Sequence, residues 1–221
     1  LLNTPHNPTG RVFSRDELRA VADAAIAHDL IVLADEVYED LVFEGEHHAI
    51  ASFDGMWDRT ITMSSLGKTF SLTGWKIGWT VANPELTRAV RAAHQFLTFA
   101  TATPLQHGAV AALRAPTTYF DEFRADYRAR RDLLVEGLSS VGFQVTAPAG
   151  TYFVMADHTP FGFEDDVAFC RHLIENIGVA AIPPSAFYEQ SADGRAYVRF
   201  AFCKDLDTLR AAIDRMQKLK A

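Results

Sequence analysis

The segment SSLGKTFSLTGWKIGW occupies residues 64–79 and connects two β-prone runs, residues 60–64 and residues 77–82. Residues 65–74 are polar and contain glycines, so we predict a loop there. Lys68 lies in this loop, shortly after a buried strand and away from any helix face along which its amine would reach solvent. An amine held in a protein interior can lose its proton and become a nucleophile toward an aldehyde. Lys68 is therefore the first candidate for a catalytic residue.

The residues before this segment predict strands that alternate with helices. Residues 1–4 have the composition of a strand end. Ser14 and Glu17 have the spacing of a capping box, which predicts a helix over residues 15–28. Residues 31–34 form a continuous apolar run, which is typical of a strand buried on both faces. This alternation predicts a mostly parallel sheet, whose ligands bind beyond the carboxyl ends of the strands.

The residues after the segment predict a second kind of architecture. Asn83 and Pro84 have the positions of an N-cap and a first helical turn. A long helix is predicted over residues 119–141, and the charges at residues 124–132 are expected to lie on a solvated face. Short strands and helices follow. The predicted strands are residues 143–146, 151–156, 179–182 and 197–202, and the predicted helices are residues 166–177 and 206–219.

These elements divide into two domains with a boundary near residue 115. Residues 1–115 are predicted to form an α/β domain with a mostly parallel sheet and helices. Residues 116–221 are predicted to form a small α+β domain with its own core. The predicted fold class is therefore α/β, followed by a small α+β unit.

The composition excludes several classes of protein. Of the 221 residues, 48% are hydrophobic and 22% are charged, which is ordinary for a globular protein. The net charge of −7 argues against nucleic acid as the main partner, because phosphate binding needs a clustered basic face. No run approaches the ~20 apolar residues of a membrane span. Cys170 and Cys203 form no C-x-x-C pair, so we expect buried free thiols, no metal site and a reducing cytoplasm.

Four further residues are candidates for the same site. Two of them lie near Lys68 in sequence, and two lie at or just after the end of a predicted strand. Ser65 and Lys76 supply a hydroxyl and a second cation, which together suit a phosphate dianion. Asp35 ends an apolar run, where a carboxylate costs free energy unless a cationic group meets it. Tyr38 follows Asp35 by about one helical turn and can point in the same direction.

Two candidates lie farther away in sequence. Asn7 lies in a constrained loop with two prolines, and its amide can donate a hydrogen bond. Arg199 lies in a β-prone run, and its planar guanidinium can bind a carboxylate with two parallel hydrogen bonds. Taken alone, each candidate has a common structural explanation. Asn7 can form an Asx-turn, Arg199 a salt bridge and Asp35 a cap, while Lys68 and Lys76 can be solvated surface residues.

The order of these motifs resembles the class I/II aminotransferases of the fold-type I pyridoxal-phosphate enzymes. The matching runs span nearly the whole chain, and the run around Lys68 is highly specific. They are NTPHNPTG (3–10), LADEVYEDLVFEG (33–45), SSLGKTFSLTGWKIGW (64–79), GTYFVMAD (150–157) and VRFAFCK (198–204). The chain is most similar to the subgroup of kynurenine–oxoglutarate, glutamine–phenylpyruvate, methionine and N-succinyldiaminopimelate aminotransferases.

The resemblance implies a cofactor, pyridoxal 5'-phosphate, and a role for each matching residue. Lys68 would bind the cofactor aldehyde covalently and then move the proton during transamination. Asp35 would pair with the pyridine nitrogen, and Tyr38 would hold the ring oxygen. Ser65 and Lys76 would bind the phosphate.

The resemblance also assigns the substrate side of the site. Arg199 would bind the substrate α-carboxylate, and Asn7 would contact both the cofactor ring oxygen and the substrate. Residues 150–152 and Phe187 would lie near the substrate. The implied substrates are an amino acid and a 2-oxo acid, and the implied partner is a second copy in a homodimer.

The resemblance further implies that residues 1–115 are the C-terminal part of the large cofactor-binding domain. The family's glycine-containing phosphate loop, and the aromatic residue that stacks on the pyridine ring, would precede residue 1. We therefore expect these 221 residues alone to bind the cofactor unproductively and to be inactive.

Two other functions fit the same motifs. A carbon–sulfur β-lyase acting on cysteine conjugates would use the same cofactor to expel a β-leaving group. An aminotransferase-like ligand-sensing domain of a transcription regulator would carry basic helical sequence upstream. The identity of the amino donor does not follow from the motifs, because fold-level analogy does not supply side-chain specificity.

Overall fold

A computed structural model describes residues 1–220, which form two compact units. The first unit contains residues 1–6 and 11–124, and the second contains residues 7–10 and 125–220. Ala221, the last residue of the predicted small domain, lies outside the described residues.

The first unit contains a four-stranded sheet in the order β1–β2–β3–β4. The strands are β1 (Leu2–Asn3), β2 (Val32–Asp35), β3 (Thr60–Ser65) and β4 (Gly78–Val81). The first three run parallel, and β4 is antiparallel to β3. Asp35 pairs with Met63, and Ser65 pairs with Gly78. The carboxyl ends of β2 and β3 and the start of β4 therefore lie at one edge of the sheet, and the prediction of a mostly parallel sheet is confirmed.

Strand β2 is buried on one face only, so the prediction that both faces are buried was wrong. Val32 and Ala34 belong to an apolar cluster that includes residues of the preceding helix. Leu33 is 41% exposed and Ile31, just before the strand, is 53% exposed. Successive side chains of a strand point to opposite faces, and the apolar run does not show whether the second face is covered.

Helix α1 (Arg15–Ala27) begins with the predicted capping box. The Ser14 hydroxyl accepts a hydrogen bond from the Glu17 amide at 3.2 Å, and Glu17 Oε2 accepts one from the Ser14 amide at 2.8 Å. Leu18, Ala22 and Ala25 form the buried face of α1. The helix therefore begins where the sequence predicts and packs its apolar face into the cluster.

Two further helices of the first unit follow β4. Helix α2 (Pro84–Leu97) has the predicted N-cap, since Asn83 Oδ1 accepts a hydrogen bond from the Leu86 amide at 2.9 Å. Helix α3 (Thr103–Leu113) was not predicted. Its N-cap residue is Ala102, which provides no side-chain hydrogen bond and therefore no start signal.

Helix α4 (Thr117–Val141) is continuous across the division between the two units. Its first turns belong to the first unit, where the ring of Tyr119 stacks on Phe70 with centroids 5.5 Å apart. This packing explains why the division follows Arg124, whereas the sequence predicts a boundary near residue 115.

The second unit contains a three-stranded antiparallel sheet in the order β5–β6–β7. Its strands are β5 (Gln144–Val145), β6 (Phe153–Asp157) and β7 (Tyr197–Ala201), and its further helices are α5 (Asp166–His172) and α6 (Leu206–Met216). A π-helical turn over Leu173–Ile177 extends α5 and ends at Gly178, whose φ is +78°. The predicted strand at residues 179–182 was wrong, since only Ile182 forms a bridge, with Arg199.

Two expectations about side-chain burial in the second unit were also wrong. Arg131, placed on the solvated face of the long helix by the sequence, is 6% exposed, and its Nη1 donates to the Pro148 carbonyl at 3.1 Å. Cys170 is buried as expected, but Cys203 is half-buried. Charge and polarity patterns describe a helix face on average, and one buried hydrogen bond is enough to draw an arginine inward.

Short 3₁₀ helices complete the described elements. They are Ile50–Ser52, Trp57–Arg59, Thr73–Trp75, Thr159–Phe161, Pro184–Phe187, Ser191–Gly194 and Gln217–Lys220. Within residues 1–220, no helix has both the length and the apolar character that crossing a membrane requires.

Candidate active site

Lys68 lies in a tightly hydrogen-bonded loop between β3 and β4. The Leu72 amide donates to the Leu66 carbonyl at 3.2 Å, and the Ser71 amide donates to the Lys68 carbonyl at 3.1 Å. The side chain of Leu66 is fully buried and anchors the start of the loop. Lys68 itself is half-buried. The loop is therefore an ordered turn that holds a lysine at the carboxyl edge of the sheet.

The residue after Lys68 is held from two sides. Thr69 is 3% exposed, and its hydroxyl donates to Asp40 Oδ2 at 2.9 Å. Its carbonyl accepts a hydrogen bond from the Tyr119 hydroxyl at 2.7 Å. Burial, together with the nearby Asp40 charge, raises the pKa of Tyr119, so its phenol stays protonated as a donor. Asp40 and Tyr119 thus fix the backbone beside Lys68.

Ser65, Lys68 and Lys76 line one cavity of about 320 Å³. The Ser65 hydroxyl oxygen accepts a hydrogen bond from the Gly67 amide at 3.2 Å. Lys76 is exposed and has left-handed backbone geometry, with φ +55° and ψ +39°. A non-glycine residue in this region costs free energy and is frequent at functional sites. The structure therefore brings these three predicted cofactor residues together.

Asp35 and Tyr38 lie on the neighbouring strand end. Asp35 closes β2 and is half-buried, and its Oδ1 accepts a hydrogen bond from the Val37 amide at 3.3 Å. Its carbonyl accepts hydrogen bonds from the Asn3 side-chain amide at 3.0 Å and the Thr4 amide at 3.3 Å. Tyr38 is 3% exposed, and the Lys68 ammonium lies 5.7 Å from its ring centroid. The structure therefore brings Tyr38 and Lys68 close together.

Asn7 and Arg199 meet in the second unit, although 192 residues separate them in sequence. Arg199 Nη1 donates to Asn7 Oδ1 at 3.1 Å. The Arg199 guanidinium carbon lies 4.4 Å from the ring centroid of Phe153 and 5.1 Å from that of Phe187. Arginine stacks on aromatic faces in this way while its edge keeps donors for an anion. The structure thus places the predicted substrate residues, including Phe187, beside one another.

Gly10 holds the loop that carries Asn7 against residues 148–150. Its carbonyl accepts a hydrogen bond from the Gly150 amide at 2.8 Å. Its φ is +70°, and a Cβ at this position would lie 2.3 Å from Cβ of Pro148. No side chain fits there, so glycine is required for this close approach. Residues 150–152 therefore lie next to the Asn7 loop in the second unit.

The site residues form two groups, one around Lys68 in the first unit and one around Arg199 in the second. The sequence did not indicate several residues that complete these two groups. Phe153 reads as an ordinary strand residue, and Thr69, Asp40 and Tyr119 are separated along the chain. The only local signal for Phe153 is the alternation of side chains along β6. This alternation puts Phe153 and Met155 on one face of the strand, and Met155 pairs with Arg199 in register.

The chemistry of the first-unit cavity fits pyridoxal 5'-phosphate. The Lys76 ammonium and the Ser65 hydroxyl can bind a phosphate dianion, and the Lys68 amine, once deprotonated, can react with an aldehyde. Asp35 has a carboxylate at the adjacent strand end, the group that a protonated pyridine nitrogen requires. These residues therefore match the donor set that the cofactor needs.

Comparison with known proteins agrees with this chemistry. The sequence profile described as aminotransferase class I and II matches residues 1–216. A kynurenine–oxoglutarate transaminase of Dictyostelium discoideum is 40% identical over all of this chain, which spans 56% of that protein. A curated Mycobacterium tuberculosis protein, named a probable N-succinyldiaminopimelate aminotransferase, is 47% identical over 99% of this chain and 57% of its own length.

Solved structures show the same relationship. The structure of N-succinyldiaminopimelate aminotransferase from Mycobacterium tuberculosis has a TM-score of 0.95 and 48% identity, covering 99% of this chain and 57% of that chain. The Escherichia coli protein YbdL, described as having a methionine aminotransferase function, has a TM-score of 0.92 and 36% identity, covering 98% of this chain and 57% of its own. The chain thus spans somewhat more than half the length of the relatives that it matches, and it belongs to the class I and II aminotransferase family.

Proposed function

We propose that this chain carries the cofactor lysine and the substrate arginine of a pyridoxal-phosphate-dependent aminotransferase. The reaction would move an amino group from an L-amino acid to a 2-oxo acid. The observation that carries this proposal is the cavity that Ser65, Lys68 and Lys76 line at the carboxyl edge of the sheet, beside the strand end of Asp35. Family membership supports the same activity.

The residues of the first unit have separable roles in this proposal. When bound, the cofactor supplies an electron sink for the negative charge that develops at the substrate Cα. Asp35 holds the proton on the pyridine nitrogen. Lys68 Nζ would take the proton from the substrate Cα and deliver it to C4′ of the cofactor, which requires a free amine within reach of both carbons. Ser65 and Lys76 would bind the phosphate, and the Tyr38 phenol would donate a hydrogen bond to the ring oxygen of the cofactor.

The residues of the second unit would bind the α-carboxylate common to both substrates. Arg199 offers a planar pair of donors, and its contacts with Phe153, Phe187 and Asn7 hold that plane in one orientation. The relatives are named for kynurenine, methionine and N-succinyldiaminopimelate. We propose these three as the first amino donors to assay, with 2-oxoglutarate as the acceptor.

We also propose that the protein is a homodimer and acts in the cytoplasm. Support for the dimer comes from three side chains at and just after the end of α2, since Phe96 is 87%, Leu97 is 83% and Phe99 is 78% exposed. Contiguous exposed apolar surface marks an interaction site in a globular protein. Support for the cytoplasm comes from the two free cysteines, which are ordinary in a reducing compartment.

Covalent trapping tests the proposed function. The natural full-length protein is incubated with pyridoxal 5'-phosphate and reduced with sodium borohydride, and the modified peptide is identified by mass spectrometry. We expect the adduct on Lys68 and loss of transamination in Lys68→Ala. The matched control, Lys218→Ala, changes a lysine outside both groups and should keep the adduct and the activity. A labelled protein with the adduct elsewhere, or with none, overturns the proposal.

A further inference from the structure

A second group of polar side chains lies beside Asp35 and has no part in the proposed transamination. It consists of Glu36, Glu39 and His47, all in the first unit. Each offers one ligand atom, and these atoms lie within 4.8 Å of one another. Glu36 follows β2 directly, and the Glu39 amide donates to the Glu36 carbonyl at 2.9 Å, so a tight turn brings the two carboxylates together.

The burial of this group is unusual for its charge. Glu36 is 2% exposed, and the His47 side chain is 14% exposed. His47 Nε2 lies 3.0 Å from Glu36 Oε2, while Glu36 Oε1 and His47 Nδ1 are buried and have no hydrogen-bond partner among the described residues. A buried carboxylate oxygen without a donor costs free energy, because water no longer solvates it. The single imidazole therefore leaves one buried oxygen of Glu36 without a hydrogen-bond partner among the described residues.

A second carboxyl group, that of Glu39, belongs to the same group of side chains. The Ser64 hydroxyl donates to Glu39 Oε1 at 2.9 Å and fixes that side chain. Two carboxylates facing one imidazole repel each other unless a proton or a cation lies between them. A divalent cation would offset both charges at once and would supply the missing partner of Glu36.

The donor types and distances suit a divalent transition-metal ion. Carboxylate oxygens and an imidazole nitrogen are common ligands of Zn²⁺ and Mn²⁺, whereas Mg²⁺ and Ca²⁺ prefer oxygen alone. With metal–ligand bonds of ~2.1 Å, two ligands of a tetrahedral Zn²⁺ site stand about 3.4 Å apart. The Glu36–His47 separation of 3.0 Å is about 0.4 Å shorter than this value, and the 4.8 Å limit leaves up to ~1.4 Å for Glu39 to close.

We propose that Glu36, Glu39 and His47 bind a divalent transition-metal ion such as Zn²⁺, with water completing the coordination. The ion would join the turn at residues 36–39 to the loop at His47, and it would brace the backbone that follows Asp35. The sequence showed no such site, because the spacing E-x-x-E followed by a histidine eight residues later matches no common metal motif.

Calorimetric titration tests this proposal without any cofactor. The chain is stripped of metals with a chelator and titrated with ZnCl₂, and the same titration is made with Glu36→Gln, His47→Gln and His48→Gln. We expect one saturable site, at least a tenfold loss of affinity in the first two variants and no change in the third. His48 is the matched control, because it is the neighbouring histidine and lies outside the group.

A second measurement keeps the test decisive if a variant fails to fold. Diethyl pyrocarbonate modifies accessible imidazoles, and mass spectrometry measures the rate at each histidine of the unsubstituted chain. We expect Zn²⁺ to slow the modification of His47 and to leave that of His48 unchanged. Absence of saturable binding, or equal modification of His47 with and without Zn²⁺, overturns the proposal. Neither result bears on Lys68, so failure here is distinct from failure of the proposed transamination.

Discussion

The guanidinium of Arg199 lies over the ring of Phe153 and over the ring of Phe187, while one of its nitrogens donates to Asn7. The stacked plane limits the rotation of the guanidinium, so its orientation is set before a substrate arrives. A lysine could keep the positive charge at this position, but it has neither the plane nor the paired donors. The contacts of Arg199 therefore predict that shape matters there as well as charge.

Arg199→Lys is expected to raise KM for the amino donor roughly tenfold to a hundredfold, because the substrate carboxylate loses one charge-assisted hydrogen bond. Steady-state kinetics of the full-length protein measures this effect. Arg195→Lys makes the same change at an exposed position and should leave KM unaltered. Equal KM values for Arg199→Lys and the unsubstituted protein would show that the carboxylate binds elsewhere.

The two cysteines are expected to differ in reactivity. Burial, and then the nearby Asp166 carboxylate, raise the pKa of Cys170 to about 12, so almost no thiolate is present near neutral pH. Cys203 is half-buried and can reach a reagent. Iodoacetamide at pH 8 should therefore label Cys203 first, as peptide mapping will show. Labelling of both thiols after unfolding in guanidinium is the control, and faster labelling of native Cys170 would contradict the structure.

Arg131 is expected to stabilise the second unit through its buried hydrogen bond. Arg131→Ala leaves the Pro148 carbonyl without this donor and should lower the free energy of unfolding by about 2 kcal/mol. Arg210, on the exposed surface of α6, pairs with Asp207, so Arg210→Ala should cost less than ~1 kcal/mol. Urea unfolding followed by circular dichroism compares the two variants. Equal losses would mean that Arg131 is effectively solvated.

At the scale of elements, helix starts follow local chemistry closely. Ser14 caps α1, Asn83 caps α2, Asp165 caps α5 and Asp205 caps α6 by accepting a hydrogen bond from a backbone amide of the first turn. Helix α3, which lacks a side-chain cap, is the one that the sequence did not predict. Among α1, α2, α3, α5 and α6, the missed helix is thus the one whose N-cap residue provides no side-chain hydrogen bond.

The capping box of α1 should contribute measurably to stability. Ser14→Ala removes one partner and is expected to lower the free energy of unfolding by about 1 kcal/mol at pH 7, measured in urea. Ser191→Ala, at an exposed serine away from α1, is the control and should change it by less than ~0.5 kcal/mol. An unchanged urea midpoint in Ser14→Ala would show that the box is not formed in solution.

The stability that the capping box of α1 contributes should also depend on pH. The Ser14 amide, and then Arg11, lower the pKa of Glu17 below its ordinary value of 4.5. The contribution of Glu17 is therefore present above pH 4.5 and is lost as the pH falls through the lower value of the folded state. The difference in stability between the unsubstituted chain and Glu17→Gln should accordingly shrink in acid, which urea titrations at pH 7 and pH 3 will measure.

At the scale of the whole molecule, the exposed apolar end of α2 predicts self-association. Phe96→Ser with Phe99→Ser removes two rings that are 87% and 78% exposed, so it should shift the full-length protein from dimer toward monomer in sedimentation velocity. Trp57→Ser removes another exposed ring, at 47%, and should leave the dimer intact. A dimer that survives the double substitution would place the interface elsewhere.

The local chemistry of the sequence was sufficient for most of the elements, although it missed α3 and wrongly predicted a strand at residues 179–182. Residues 64–79 predicted the strand, the loop and the lysine, because hydrophobic period, glycines and turn residues act within a few positions. The parallel arrangement then put Asp35 and the Lys68 loop at one edge of the sheet.

Only the tertiary structure decided which distant side chains meet. It joined Asn7 to Arg199, drew Arg131 inward, left Leu33 exposed and gathered Glu36, Glu39 and His47. Each of these outcomes depends on closing a loop or packing a face against a segment far away in the chain. The free energy of such contacts is set by the partner as much as by the residue, so a local pattern cannot contain it.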